Sequence, residues 1–215
     1  MSHVCPLCAS DNYYDFSCRD KPYSRCQSCD FVWLQRDHLL SEAAEKAIYD
    51  IHQNQLDDPG YRQFLSRSLN QVIEHITPPA QGLDFGCGPG PALIKMAEEL
   101  GYEMQAYDKF YADQPEVLSQ TYDFITCTEV VEHLANPLPI LDQLWSITRP
   151  GGLLVIQTKR VLDDSRFCDW HYRNDPTHIS FFGEASFRWL AQHWQSQVTF
   201  AHNDVVVFIK PPGLL

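Results

Sequence analysis

The chain has 215 residues, 44% hydrophobic and 13% aromatic, which suits one sizeable core or a core plus a small module and excludes a disordered chain. Acids outnumber bases 28 to 16, a net charge of −12, which disfavours nucleic acid as a partner because phosphate affinity comes largely from Lys and Arg displacing counterions. No apolar run is long enough to span a bilayer, and Met1-Ser2-His3-Val4-Cys5 lacks the basic and apolar regions of a leader, so the expectation is a cytoplasmic protein with no membrane partner.

Residues 1–36 form a segment of their own. Cys5-Pro6-Leu7-Cys8 and Cys26-Gln27-Ser28-Cys29 are two Cys-x2-Cys pairs with seventeen residues between them. Each pair puts two thiolates on one tight knuckle, and two knuckles complete a tetrahedron, so Cys5, Cys8, Cys26 and Cys29 are expected to hold one structural zinc ion. The other readings are redox dithiols or cysteines that fill a core. This spacing argues for metal rather than disulfides, with Cys18 a spectator or a substitute ligand. The segment carries four acids and four bases, so it is no basic clamp; it is expected to cap the main domain or to contact a substrate or partner.

Residues 37–80 read as a helical linker and lid. Ser41 is placed to cap a helix running to about Gln53, with Glu42 and Glu45 in its first turn. After the turn Asp57-Asp58-Pro59-Gly60, a second helix has Tyr61, Phe64, Leu65, Leu69, Val72, Ile73 and Ile76 at helical spacing until Pro78-Pro79 stops it.

From Gln81 the pattern alternates strand and helix. Gly82-Leu83-Asp84-Phe85-Gly86-Cys87-Gly88-Pro89-Gly90 is a strand that breaks into spaced glycines where a helix, Pro91 to Leu100, begins. Glycine lets a ligand approach the backbone closely at such a junction, where open α/β sheets bind nucleotides. The next strand, Tyr102 to Tyr107, ends in Asp108, twenty residues past Gly88 and placed to accept both ribose hydroxyls of a nucleoside. Only fourteen residues then precede Asp123, too few for the usual helix, strand and helix. A strand at Phe124–Cys127, a helix from Leu138 to Thr148, the turn Arg149-Pro150-Gly151-Gly152 and a buried strand from Leu153 to Gln157 follow. A long irregular stretch from Thr158 to Gly183 leads to a helix, Glu184 to Trp194, and a closing hairpin, Gln197–Ala201 with Val205–Ile209.

Taken together, Leu83-Asp84-Phe85-Gly86-Cys87-Gly88-Pro89-Gly90, Asp108, Tyr122-Asp123-Phe124-Ile125 leading into Glu129-Val130-Val131-Glu132-His133-Leu134, and Arg149-Pro150-Gly151-Gly152-Leu153-Leu154 resemble the class I S-adenosylmethionine-dependent methyltransferases over roughly residues 60 to 210. The resemblance implies a Rossmann-like α/β fold over residues 81–215, with a mostly parallel sheet, an antiparallel last strand and a shortened strand-three region. It implies that Asp84, Gly86, Cys87, Gly88 and Gly90 border the methionine part of the cofactor and that Asp108, followed by Lys109 and Phe110, binds the ribose side. Cys127, Thr128 and Glu129 would line the pocket below the sulfonium. The acidic residue that usually reads adenine is missing with strand three, and Phe110, Tyr111 or Asp113 is the candidate to substitute for it.

Methyl transfer from a sulfonium is an in-line displacement on an already activated cofactor, so the protein has to align the acceptor and, for a hydroxyl, accept a proton. Glu129, Glu132 and His133 resemble the pattern of ubiquinone-pathway and small-RNA O-methyltransferases, where such residues can hold a divalent cation; the plainer reading is a helix start with a locally packed histidine. His178, beside Asp175, is the leading candidate for general base or fourth cation ligand, and His171 the second. A small-molecule hydroxyl is the expected acceptor. An RNA or protein methyltransferase that docks through the ribbon, and a relict fold acting as a binding protein, are the alternatives.

Overall fold

The computed structural model describes residues 4–51 and 55–213. The end expected for the first helix, Gln53, and the terminal Met1–His3 lie outside the described residues.

The central sheet is built from β4 (Gln81–Phe85), β5 (Glu103–Tyr107), β6 (Tyr122–Thr128), β7 (Thr148–Gln157), β9 (Gln197–Phe200) and β10 (Val205–Ile209), in the order β5-β4-β6-β7-β10-β9. The first four pair in parallel, whereas β10 runs antiparallel to β7 and β9 antiparallel to β10. No strand lies outside β5 among the described residues. The chain after Asp108 makes only a tight Asp108–Ala112 bridge and a 3-10 turn at Pro115–Ser119, so the expected strand-three loss falls at a sheet edge where it opens no core.

Period-two alternation divides the apolar side chains of the strands between two layers. Leu153, Val155, Val205 and Val207 meet α2 (Pro59–His75) and α3 (Ala92–Glu98) through Leu65, Leu69, Val72, Leu93 and Met96. Leu154, Ile156, Val206 and Phe208 face α4 (Pro137–Ile147) and α6 (Glu184–His193) through Leu141, Leu144, Phe187 and Leu190. The helix starts follow from sequence: the Ser41 side chain accepts from Ala44 N at 3.3 Å to open α1 (Glu42–Tyr49), and Asp58 accepts from Tyr61 N at 2.6 Å with Pro59 in the first turn of α2. The expected turn Arg149–Gly152 is instead an irregularity inside β7. Gly151 takes φ 79° and the ladder to β6 shifts register, yet Gly151 N still donates to Lys210 O and Lys210 N to Gly152 O.

The N-terminal segment is not a free-standing ribbon. Its hairpin of β1 (Tyr13–Cys18) and β2 (Lys21–Cys26) continues through β3 (Val32–Leu34) into β8 (Ser180–Phe181), two residues from the stretch expected to be irregular. That stretch also holds α5 (Asp164–Asp169) and a 3-10 turn, His171–Asn174. Tyr23, Val32 and Leu34 of the ribbon share one core with Val161, Phe167, Tyr172 and Phe181. Cys18, expected as spectator or ligand, is neither: it forms a disulfide with Cys168, 150 residues away, a partner no local spacing could indicate.

Arg25 is the polar counterpart of this contact. It is 8% exposed and donates to Asp30 at 2.7 Å, to Asp164 at 2.6 Å and to the Leu162 carbonyl. Because both acids keep some contact with water, Arg25→Ala is expected to cost about 2 kcal/mol, read as a lower urea midpoint. Limited proteolysis should cut between Leu162 and Trp170 sooner than in the unaltered protein.

Candidate functional site

A cavity of about 670 Å³ opens along the carboxyl ends of β4, β5, β6 and β7. One wall is the glycine turn. Gly86 has φ 79° and Gly88 φ 64°, and a Cβ on Gly86 would collide with the Val130 side chain, so the second turn can pack on the first only because residue 86 is glycine. Gly86 N donates to the Tyr107 carbonyl at 2.7 Å, tying this turn to β5. Asp108 then braces it: one carboxylate oxygen accepts from Gly88 N at 3.0 Å, the other from Phe110 N at 2.8 Å and Tyr111 N at 3.2 Å.

Of the residues expected at the cofactor, Gly86, Cys87, Gly88, Asp108, Lys109, Phe110, Thr128 and Glu129 line the cavity together. Asp84 does not: it lies 5% exposed beneath the turn, where Thr126 donates to it at 2.7 Å and burial pushes its carboxyl up to about 6. Gly90 is also buried outside the lining, and Asp113 is not part of it. Cys127 requires a correction. Strand alternation turns it into the core with Ile125, fully buried, and the cavity begins one residue later at Thr128. Over the glycine wall lies α1, with Glu45 and Tyr49 facing the cavity; Lys109 Nζ pairs with Glu45 at 2.9 Å.

The opposite wall holds a buried polar cluster. Glu129 adopts φ 52°, a left-handed conformation that costs a non-glycine residue on the order of 1 kcal/mol or more, and its N donates to the Gln157 carbonyl at 2.8 Å. A 3-10 turn, Val131–His133, follows and brings Glu132 beneath it. Tyr172 joins the two acids. Its single hydroxyl hydrogen goes to Glu132 Oε1 at 2.5 Å, so the 3.2 Å contact with Glu129 Oε2 is a good hydrogen bond when Glu129 carries a proton. Burial, then the charge of Glu132, pushes the Glu129 carboxyl up to about 8; burial likewise raises Glu132. Glu129 Oε1 and Glu132 Oε2 are buried with no hydrogen-bond partner.

Both histidines are oriented by backbone. His133 Nδ1 lies 2.9 Å from the Thr177 carbonyl and His178 Nδ1 2.7 Å from the Tyr172 carbonyl. A carbonyl only accepts, so Nδ1 carries the hydrogen in each ring and Nε2 is the basic nitrogen. Burial lowers both histidines from their ordinary value, which keeps the rings neutral. Their centroids are 4.8 Å apart, and one ligand atom from each of Glu132, His133 and His178 lies within 4.8 Å of the others. Two carboxylate oxygens without donors beside two imidazoles with carbonyl-bound Nδ1 groups make a donor set that fits a divalent cation. His171, the second choice for a base, is exposed at the cavity rim against Lys159. Tyr172, Lys159, Tyr49, Tyr61 and Phe64 also line the cavity and went unselected in the sequence, because each is brought there by packing rather than by a motif.

The second cluster is the cysteine set. Cys5 Sγ lies 3.7 Å from Cys29 Sγ and Cys8 Sγ 3.5 Å from Cys26 Sγ, close to the separation of about 3.8 Å that a tetrahedron with zinc–sulfur bonds near 2.3 Å requires. All four sulfurs lie within 4.8 Å of one another. Hydrogen bonding from Cys29 lowers Cys5 to about 6, while burial raises Cys8 to about 12. The thiols are thus electrostatically coupled, and a dication in their midst would favour the thiolate of each.

Among curated proteins, residues of this chain are 30% identical over 108 residues to the ubiquinone biosynthesis O-methyltransferase of Xanthomonas campestris, covering 38% of this chain and 44% of that protein. The enzyme of the same description from Aeromonas salmonicida is 36% identical over 97 residues, 44% of this chain and 38% of its own length. The chain therefore spans less than half the length of these relatives. Among solved structures, a SAM dependent methyltransferase from Archaeoglobus fulgidus superposes with a TM-score of 0.50 at 20% identity, covering 64% of this chain and 71% of that one. An O-methyltransferase family protein from Burkholderia thailandensis gives 0.51 at 12%, covering 80% and 60%. At these identities the two structures speak for the fold alone. The methyltransferase domain family matches residues 57–199, more than half of the chain, and the protein belongs to the S-adenosylmethionine-dependent methyltransferases.

Proposed function

We propose that the protein moves the methyl group of S-adenosylmethionine to a hydroxyl of a small molecule. The observation that carries this reading is the continuity of one cavity from the glycine turn and Asp108 to Glu129, His133 and His178. Asp108 takes the ribose hydroxyls, Gly86 and Gly88 border the methionine part, and Phe110 and Tyr111 offer ring faces for adenine in place of the missing acid. The acceptor oxygen approaches from the His178 side, attacks the methyl carbon in line, and the carbon–sulfur bond breaks to leave a neutral thioether. Its proton passes to His178 Nε2, which burial and the Tyr172 carbonyl keep neutral and aimed.

Glu132, His133 and His178, with Glu129 beside them, are the residues that would hold a divalent cation, and such a cation would lower the pKa of an acceptor hydroxyl as a Lewis acid. The two arrangements use the same His178 nitrogen and exclude each other. The four cysteines are assigned to structural zinc, which keeps the ribbon folded behind the acceptor wall rather than touching the reaction. The hydroxyl preference is supported by the ubiquinone-pathway relatives and by the acidic, base-lined cavity; a net charge of −12 stands against a bare RNA substrate.

Equilibrium binding of S-adenosylmethionine is the first check: absence of binding at millimolar cofactor, with zinc supplied, sinks the reading. Asp108→Ala is expected to weaken that binding at least about 10-fold, since it removes charge-assisted hydrogen bonds and the brace on Gly88. His178→Ala should leave cofactor binding within about twofold and lower kcat about 10²- to 10⁴-fold with a hydroxyl acceptor. Chelation separates the two proton routes: activity lost to EDTA and restored by Mg²⁺ or Mn²⁺ supports the cation, and activity untouched by EDTA supports His178 as base. Labelled methyl should enter a metabolite extract rather than ribosomes or a protein extract; the opposite result favours a macromolecular substrate.

A further inference from the structure

Two ammonium groups line the cavity, and they are in different situations. Lys109, on the cofactor side, is answered by Glu45 at 2.9 Å. Lys159, just past the carboxyl end of β7, forms no ion pair among the described residues. Its Nζ sits 3.1 Å from His171 Nε2 and 5.1 Å from the centre of the Tyr172 ring. An ammonium only donates, so His171 accepts through Nε2 and one of three N–H groups is spent. The π face of Tyr172 holds the charge in place without neutralising it. In a cavity whose charged lining residues are mainly acids, Lys159 is the ammonium with no ion-pair partner among the described residues, and so the one positive point left for an entering anion to meet.

We propose that Lys159, positioned by His171 and the Tyr172 ring, binds an anionic oxygen group, carboxylate or phosphate, carried by the methyl acceptor. The proposal deepens the reading above, since it assigns a substrate class to the same site. It concerns the acceptor rather than the cofactor's own carboxylate because both contacts that hold Lys159 come from the 171–172 segment, on the His178 wall, and none from the glycine turn. Lys159 lines the same cavity as Glu129 and His178, and its positive charge opposes the upward push of burial on the Glu129 carboxyl. An acceptor bound in this way presents its hydroxyl to His178 at one end and its anion to Lys159 at the other, and a neutral acceptor of the same shape lacks the second anchor.

Binding without turnover tests this. The purified protein, with and without S-adenosylhomocysteine, is titrated calorimetrically with benzoate, phenyl phosphate and methyl benzoate. At least one anion should bind 10-fold or more tightly than the ester, about the effect of a hydrogen bond to a charged group, and the stronger of the two identifies the anion. Lys159→Gln should abolish the preference and Lys159→Arg should keep it. His171→Ala, the positioning variant, should reduce it without altering ester binding. In turnover, Lys159→Gln should raise KM for 3,4-dihydroxybenzoate about 10-fold or more and leave its methyl ester unchanged. Equal binding of ester and both anions overturns the proposal. So does weakened S-adenosylhomocysteine binding in Lys159→Gln, which would give the ammonium to the cofactor. A protein that binds these anions through Lys159 but not S-adenosylmethionine would refute the methyltransferase reading alone.

Discussion

The contact on which the two halves of the cavity depend is the seating of Val130 against the bare Cα of Gly86. It joins the turn after β4, which forms one wall of the cavity, to the turn after β6, which carries Glu129, Glu132 and His133. Any side chain at residue 86 would push the second turn away and separate the glycine wall from the acids. The positive φ of Glu129 belongs to the same constraint, because the chain must reverse sharply after Thr128 to bring Val130 back onto the glycine. Hydrogen bonds from Glu129 N to Gln157 and from Gly86 N to Tyr107 fix both turns to the sheet, so the strained segment is held by the rigid part of the fold.

The opposite wall of the cavity has a different source of order. The segment from Thr158 to Gly183 crosses the mouth of the sheet with only short elements of its own, α5, a 3-10 turn and β8, none long enough to persist alone. The ribbon supplies what is missing: a strand edge at β3, a shared aromatic core around Tyr23 and Phe167, the guanidinium of Arg25 under Asp164, and the Cys18–Cys168 bond. The cysteine cluster stands at the far end of this scaffold, where Cys5, Cys26, Cys29, Leu7 and Phe31 pack into the main core near Phe182 and Phe187. A metal held there would brace the ribbon, and through it the segment that carries His171, Tyr172 and His178.

What the sequence made legible is what is local. The glycines, the acid twenty residues on, the helix caps and the period-two strands each depend on neighbours in the chain, and the short segment after Asp108 led directly to a missing edge strand. The disulfide, the β3–β8 pairing and the place of Tyr172 between two acids each join residues 40 to 150 positions apart, and nothing in either partner's surroundings announces the other. Cys127 shows how narrow the margin is. It sits one position from Thr128, and the alternation of β6 sends it to the opposite face, a distinction a motif does not carry but a pleat does.

Burying Glu129 and Glu132 side by side is unfavourable on every count: each loses hydration, each repels the other, and each keeps one oxygen with no donor. One tyrosine hydrogen cannot satisfy both, and the Nδ1 hydrogens of the two histidines go to backbone carbonyls instead of to the acids. An apolar cluster of the same volume would be more stable. The fold nevertheless spends a left-handed residue and a disulfide-tethered loop on holding these groups together, with backbone carbonyls fixing both imidazoles. Such a site is complementary to something positive, a proton in transit or a metal ion. By the same logic Lys159 at the cavity rim, with no ion-pair partner among the described residues, would suit an anion. A substrate that yields a proton at one end and carries a negative group at the other meets both demands at once.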